Sequence, residues 1–124
     1  MQKNARLISG LMISTALIST AAPAFAVDAL ETPMGGSVVA GNAAINYGAP
    51  GQVTINQGSD RTVINWDSFN IGQNAGAEFV QPNSNALAVN RVTGAGTDPT
   101  QILGSLRANG RVMVLDRNLS LIHI

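Results

Sequence analysis

Short segments in which apolar and polar residues alternate constrain this chain more than any other feature of its sequence. Val53 and Ile55 alternate with polar neighbours, and Val112 and Val114 repeat the pattern near the end of the chain. Alternation with a period of two is typical of a β-strand that buries one face. Asn- and Gly-rich clusters, such as residues 72–76, separate these segments and favour tight turns. The pattern therefore predicts an all-β fold.

The predicted strands are short and follow one another closely. They are Ser37–Ala40, Ala44–Tyr47, Gln52–Asn56, Thr62–Trp66, Ser68–Ile71, Ala77–Val80, Ala86–Val92, Gln101–Leu106 and Arg111–Leu115. Asp98 before Pro99 resembles a helix start, however. Ile102 and Leu106 then follow at helical spacing, so one helical or 3₁₀ turn is also predicted there. Many short strands joined by turns are typical of a β-sandwich, a β-barrel or a β-solenoid.

The composition of the chain favours small core residues over aromatic ones. Aromatic residues make up 4% of the chain, charged residues make up 11%, and there are 13 Gly. A β-solenoid stacks small aliphatic residues and turns its corners with Asn and Gly, whereas a sandwich usually has larger core residues. No repeat of fixed length is visible, so both folds remain open at this point. The chain has no Cys and a net charge of zero, which excludes a disulfide framework and gives no indication of nucleic-acid binding.

The first 26 residues have the organisation of a cleavable signal peptide. Two basic residues precede the apolar run Leu7–Thr20, and Ala24 and Ala26 are the small residues that signal peptidase requires. The run is shorter than the roughly 20 residues of a membrane-spanning helix. We therefore predict export by the Sec machinery and cleavage by signal peptidase after Ala26. Residues 27–36 lack an apolar pattern, and we predict a leader segment there.

The sequence offers no recognisable catalytic, cofactor-binding or metal-binding constellation. His123 is the only His and there is no Cys, so neither a Ser–His or Cys–His nucleophile nor a His/Cys metal site can be assembled. Asp60, Asp67 and Glu78 could be offered as paired carboxylates, but the two Asp lie at predicted turns, where they bond their own backbone. Several arginines are spread along the body of the chain: Arg61, Arg91, Arg107 and Arg111. Their spacing predicts solvated positions and no basic patch, and the chain is predicted to be no enzyme.

A series of short motifs carries a resemblance to a known family. The motifs are Gly41–Ile45, Val53–Gln57, Asp60–Gly72, Phe79–Pro82, Ala88–Gly94, Gln101–Gly104 and Asn109–Val112. No single motif is specific, but their order and spacing resemble the N-terminal secretion domain of filamentous-haemagglutinin-type exoproteins. These exoproteins are the cargo of two-partner secretion.

This resemblance implies an all-β, right-handed parallel β-helix with an N-terminal cap, incomplete at the C-terminus, in which residues 37–118 are the first part of the secretion domain. It implies a non-enzymatic module of a large adhesin- or haemolysin-like exoprotein. A partner outer-membrane transporter would recognise the module through its periplasmic domains and move the exoprotein from the periplasm of a Gram-negative bacterium to the cell surface. A region downstream would contact host or neighbouring cells. Two alternatives remain: a fragment of an exported β-helical polysaccharide-active enzyme, and a stand-alone carbohydrate-binding adhesin.

The resemblance also suggests residues for transporter recognition, or for holding the cap together. They are Asn65, Trp66, Asp67, Ser68, Phe69, Asn70, Ile71, Asn90 and Arg91. The expected mode of recognition is β-augmentation, in which an exposed strand edge of the domain pairs with the partner.

The last residues depart from the family pattern. An Asn-Pro-Asn-Gly turn should follow the strand that ends at Leu115, but the chain has Asp116-Arg117-Asn118 and then Leu119 in place of Gly. The string CTG TCT CTT ATA CAC ATC, which resembles a transposon-end sequencing adapter, encodes the sequence Leu-Ser-Leu-Ile-His-Ile. Residues 119–124 are therefore interpreted as translated adapter and excluded from the domain.

Overall fold

A computed structural model describes residues 27–96, 98–117 and 121–123. Throughout this part the regular structure consists of β-strands, without a helix, which confirms the all-β prediction. The strands are β1 Ser37–Ala40, β2 Ala43–Tyr47, β3 Gln52–Gln57, β4 Arg61–Trp66, β5 Gly76–Val80, β6 Leu87–Val92, β7 Ser105–Ala108, β8 Arg111–Asp116 and β9 Leu121–His123. The predicted signal peptide, with Ala24 and Ala26, lies outside the described residues.

The strands form two sheets between which the chain passes in turn. One sheet has the order β1-β4-β6-β8-β9 and the other has the order β2-β3-β5-β7. Strands β4, β6 and β8 are parallel to one another, and so are β3, β5 and β7. Each of the pairs β3–β4, β5–β6 and β7–β8 is thus one coil stacked on the coil before it. This arrangement confirms the β-helix and rules out the antiparallel sandwich that composition had left open.

An antiparallel cap covers the first coil. Strand β1 pairs with β4 and β2 pairs with β3, both antiparallel. Within residues 27–36, Thr32 and Pro33 are buried, and the Tyr47 hydroxyl donates a 2.6 Å hydrogen bond to the Pro33 carbonyl. A Cβ on Gly36 would lie 2.7 Å from Cζ3 of Trp66. The close approach of the cap to the core therefore requires glycine at this position.

The core consists of side chains stacked in register from coil to coil. The alternation predicted from the sequence turns one residue in two inward, and parallel pairing places each inward residue over its counterpart. The stacks on one sheet are Val53–Ala77–Leu106 and Ile55–Phe79–Ala108. Those on the other are Thr62–Ala88–Val112 and Ile64–Asn90–Val114.

Hydrogen-bonded amide side chains from successive coils form a polar ladder at the corner between the two sheets. The Nε2 atom of Gln81 donates a 3.1 Å hydrogen bond to Oε1 of Gln57. The Oε1 atom of Gln81 accepts a 2.8 Å hydrogen bond from the backbone N–H of Gly110. Asn109 exchanges two hydrogen bonds with the backbone of Gln81, at 2.7 and 2.8 Å. Gln57 and Gln81 are buried, and buried amides are tolerated when such hydrogen bonds satisfy them.

Three sequence predictions are wrong. Residues Ser68–Ile71 form no strand; Ser68 makes an isolated bridge to Met34, and Ile71 makes one to Ile102. The predicted helical turn after Pro99 is absent because neighbouring coils take its backbone groups: Ile71 N donates to Gln101 O, and Leu103 N donates to Ile71 O. Strand β7 spans Ser105–Ala108 and not the predicted Gln101–Leu106.

Candidate functional site

The predicted recognition residues lie where β4 ends and the chain turns toward β5, with Asn90 and Arg91 one coil further on. Trp66, Phe69, Ile71 and Asn90 are fully buried. The Trp66 and Phe69 rings meet edge to face with centroids 5.5 Å apart, and Phe69 stacks on Phe79 at 6.5 Å. In the folded domain these side chains form the core beneath the cap and present no surface to a partner.

Asn90 is an amide inside an otherwise apolar stack. Its Oδ1 accepts a 2.8 Å hydrogen bond from Nε1 of Trp66. Its Nδ2 donates to the carbonyls of Met113 at 3.2 Å and Ala88 at 3.5 Å. The only Trp of the chain is thereby joined to the next two coils, and the indole N–H has the partner that it needs when buried.

The turn after β4 binds the leader residues to the coils. The Met34 carbonyl accepts a 2.9 Å bond from Asp67 N, and Met34 N donates to the Ser68 carbonyl at 2.9 Å. Asn70 donates through Nδ2 to Oε2 of Glu31 at 3.1 Å and accepts through Oδ1 from the backbone of Gln101 at 2.9 Å. Asn70 is therefore a bridge between the leader segment and a later coil.

Asn65 and Arg91 lie together on the outer face of the five-stranded sheet. They are direct neighbours in the register of β4 and β6, and Nε of Arg91 donates to Oδ1 of Asn65 at 2.8 Å. Arg91 is exposed and Asn65 is half-buried. The structure thus separates the predicted residues into a buried set, a bridging set and this accessible pair.

A cleft of about 170 Å³ lies beside the turn, between residues 67–70 and a second set formed by Gly94, Gly96, Asp98 and Thr100. Asp116 closes one side, where its carboxylate accepts hydrogen bonds from the backbone and hydroxyl of Thr100. Asp67 and Asp98 also line the cleft. No group of three or more potential metal ligands occurs in the part of the chain that the structure describes. That part also contains no helix long and apolar enough to cross a membrane.

Comparison with known proteins identifies the domain. A family model described as the TPS secretion domain matches residues 29–118. The chain belongs to the TPS secretion domain family. This finding confirms the resemblance stated above and favours neither the enzyme nor the stand-alone adhesin.

The relatives of this TPS domain are much longer than the chain. It is 41% identical over 107 residues to a heme/hemopexin-binding protein of Haemophilus influenzae strain Rd, covering 86% of the chain and 12% of that protein. A second heme/hemopexin-binding protein of Haemophilus influenzae is 37% identical over 107 residues, which cover 86% of the chain and 11% of the relative. The crystal structure of the HMW1 secretion domain of Haemophilus influenzae is similar, with a TM-score of 0.63 and 35% identity over 69% of this chain and 22% of that one.

The family match ends at residue 118. In the structure, Leu121–His123 forms β9, antiparallel to β8. The adapter origin of residues 119–124 stays a prediction.

The TPS domain also has a basic surface that sequence reasoning missed. Arg61, Arg91 and Arg111 are exposed on the same outer face of the five-stranded sheet. Between them lie aliphatic side chains that are half-buried: Val63, Val89 and Met113. We call these six residues the arginine face. Only the parallel register of β4, β6 and β8 brings them together.

Proposed function

We propose that this chain is the amino-terminal part of the secretion module of a longer exoprotein, recognised by a partner outer-membrane transporter. The observation that carries the proposal is the match to the TPS secretion domain over residues 29–118. The 12% coverage of a relative supports a longer full protein. We assign the secretion step to this chain, and not the heme or hemopexin binding for which its relatives are named.

The proposed route begins with export through the Sec machinery and removal of residues 1–26 after Ala26. The domain then meets the periplasmic domains of its transporter, and the exoprotein reaches the medium or the cell surface of a Gram-negative bacterium. The role is non-enzymatic. Contact with host or neighbouring cells belongs to the region downstream.

The cap offers strand edges for main-chain pairing with the transporter. Strands β1 and β2 are the outermost strands of their sheets at the cap end. The register of β1 is broken by an irregularity between Val38 and Ala40, which interrupts an edge and protects it from pairing. The ladder of β2 with β3 runs unbroken from Ala43 to Tyr47. Strand β2 is therefore the better edge for β-augmentation.

A secretion assay with two matched Asn variants tests the proposal. The full chain is produced together with its partner transporter, and the amount outside the cells is measured along with thermal stability. Asn70→Ala removes the bonds to Glu31 and Gln101, so we expect stability and secretion to fall together. Asn65→Ala removes only the exposed bond to Arg91, so we expect the fold to be retained.

The two results have separate meanings. Reduced secretion of a stable Asn65→Ala variant would support a direct contact of this side chain with the transporter, whereas unchanged secretion would remove Asn65 from the recognition surface. If the wild-type chain is not secreted when the transporter is present, the proposed function is wrong.

A further inference from the structure

The arginine face concentrates positive charge in a domain that is not basic. Residues 27–124 contain five basic and seven acidic side chains, a net charge of −2. Three of those five basic residues nevertheless lie on this face. Within β1, β4, β6 and β8 the only acidic residue is Asp116, which is buried and bonded to Thr100. The charge of the face is therefore not balanced within it.

The strand register fixes the spacing of the arginines. Arg61, Leu87 and Arg111 form one row across β4, β6 and β8. Because adjacent strands are about 4.8 Å apart, the Cα atoms of Arg61 and Arg111 are separated by about 10 Å. Arg91 lies four residues beyond Leu87 on the central strand, a distance of about 13 Å. In the strand register, Arg61 and Arg111 lie on one side of the aliphatic row Val63, Val89 and Met113, and Arg91 lies on the other.

Two of the guanidinium groups are already held in place. Arg91 uses Nε for its bond to Asn65, and Arg111 uses one terminal nitrogen for a 2.8 Å bond to the Asn85 carbonyl. The remaining N–H groups stay available in a planar fork, the geometry that binds a carboxylate through two parallel hydrogen bonds. Prior ordering of the side chains lowers the entropy lost on binding.

The outer face of the other sheet has a different character. There Glu78 on β5 is the direct neighbour of Arg107 on β7, and both are exposed. Opposite charges thus stand side by side, with Thr54 as the neighbour of Glu78 on β3. The two outer faces share strand geometry and differ in charge, which makes Arg107 a matched control for Arg91.

We propose that the arginine face is the docking surface for an acidic protein surface with an apolar centre, carried by the periplasmic part of the partner transporter. The proposal rests on the proposed function and deepens it. Main-chain pairing at a strand edge supplies affinity with little discrimination between partners. Complementary charge supplies the discrimination and speeds association. The complementary surface carries carboxylates that pair with the exposed guanidinium groups of this face.

A protein fits this face better than a lipid surface does. The aliphatic side chains are half-buried between neighbouring strands, so they form a flat centre that a second sheet or helix can cover. Insertion into a membrane instead requires apolar side chains that project several ångströms beyond their surroundings.

The test measures binding of the full chain to the purified periplasmic domains of its transporter and, separately, to vesicles containing phosphatidylglycerol. Arg91→Glu and Arg107→Glu each change the net charge by the same amount at an exposed strand position. We expect Arg91→Glu to weaken binding to the periplasmic domains at least about tenfold, and Arg107→Glu to weaken it less than about twofold. Wild-type affinity should fall with added salt, because screening weakens exposed charge pairs.

Each further outcome decides between the proposals. If the wild type binds and both variants bind equally well, the arginine face is not the docking surface, while the proposed function stands. If the wild type fails to bind the periplasmic domains and is not secreted with the transporter, the proposed function itself fails. Binding to vesicles that Arg91→Glu abolishes, without any effect on the periplasmic domains, would overturn the docking proposal in favour of a lipid surface. Trp66 fluorescence shows that each variant is folded, and Arg111→Glu provides a second variant of the face.

Discussion

Asn90→Ala tests whether a residue in the predicted recognition set acts through the core. Its side chain is fully buried and accepts a hydrogen bond from Trp66 Nε1 at 2.8 Å. Loss of this acceptor leaves a buried indole N–H without a partner, which costs about 1–3 kcal/mol. The lost bond to the Met113 carbonyl adds about 1 kcal/mol. We therefore expect Asn90→Ala to lower the free energy of unfolding by about 2–4 kcal/mol.

A double-mutant cycle assigns this loss to the Trp66–Asn90 pair. Trp66→Phe removes the indole donor, so Asn90→Ala made in that background should cost about 1–3 kcal/mol less than in the wild type. Denaturant unfolding followed by circular dichroism serves all four proteins, including those without Trp. Equal costs in both backgrounds would refute the reasoning from the hydrogen bond. An Asn90→Ala variant that is stable but no longer secreted would show that Asn90 acts in recognition after all.

Two further predictions concern the cap. Gly36→Ala should destabilise the domain by about 1–3 kcal/mol because its Cβ would meet Ile45 and Trp66. The control Gly48→Ala, with no atom within 4 Å of its Cβ, should leave the free energy of unfolding unchanged or slightly raised in the same experiment. Equal effects of the two substitutions would contradict the packing argument. Desolvation raises the pKa of Tyr47 above 10.0, so its contribution to stability is complete below that pH and is lost as the pH rises through the folded-state pKa. Wild-type stability should fall above pH 10 more steeply than that of Tyr47→Phe, and absorbance titration of the single Tyr should show the raised pKa; identical pH profiles would contradict it.

Most of the strands were predictable because alternation is a local property. In β3, β4 and β8 the predicted bounds differ from the observed ones by one residue at one end. The segment Ser68–Ile71 also alternates, but its apolar residues fill the core from a bend, and no neighbouring strand pairs along it. Local periodicity indicates that successive side chains face opposite sides of a strand and cannot report whether the backbone finds a partner.

The candidate site divides in the same way. The order of the short motifs indicated the correct family, because these motifs are spread along most of the domain. The separate roles of the suggested residues were not readable: Asn90 and Arg91 are adjacent in sequence, yet one lies inside the β-helix and the other lies outside. Alternation indicated that the two side chains face opposite sides of the strand. Only the structure showed that Asn90 bonds to Trp66 and that Arg91 bonds to Asn65.

The sequence by itself determined the all-β class, the short strands and the family, because alternation, turn residues and motif order are written along the chain. Only the tertiary structure decided which residues become neighbours across coils. Parallel register between β4, β6 and β8 depends on contacts between residues that are far apart in sequence. That register places Asn90 beside Ile64, where its side chain reaches Trp66, and it assembles Arg61, Arg91 and Arg111 into one face.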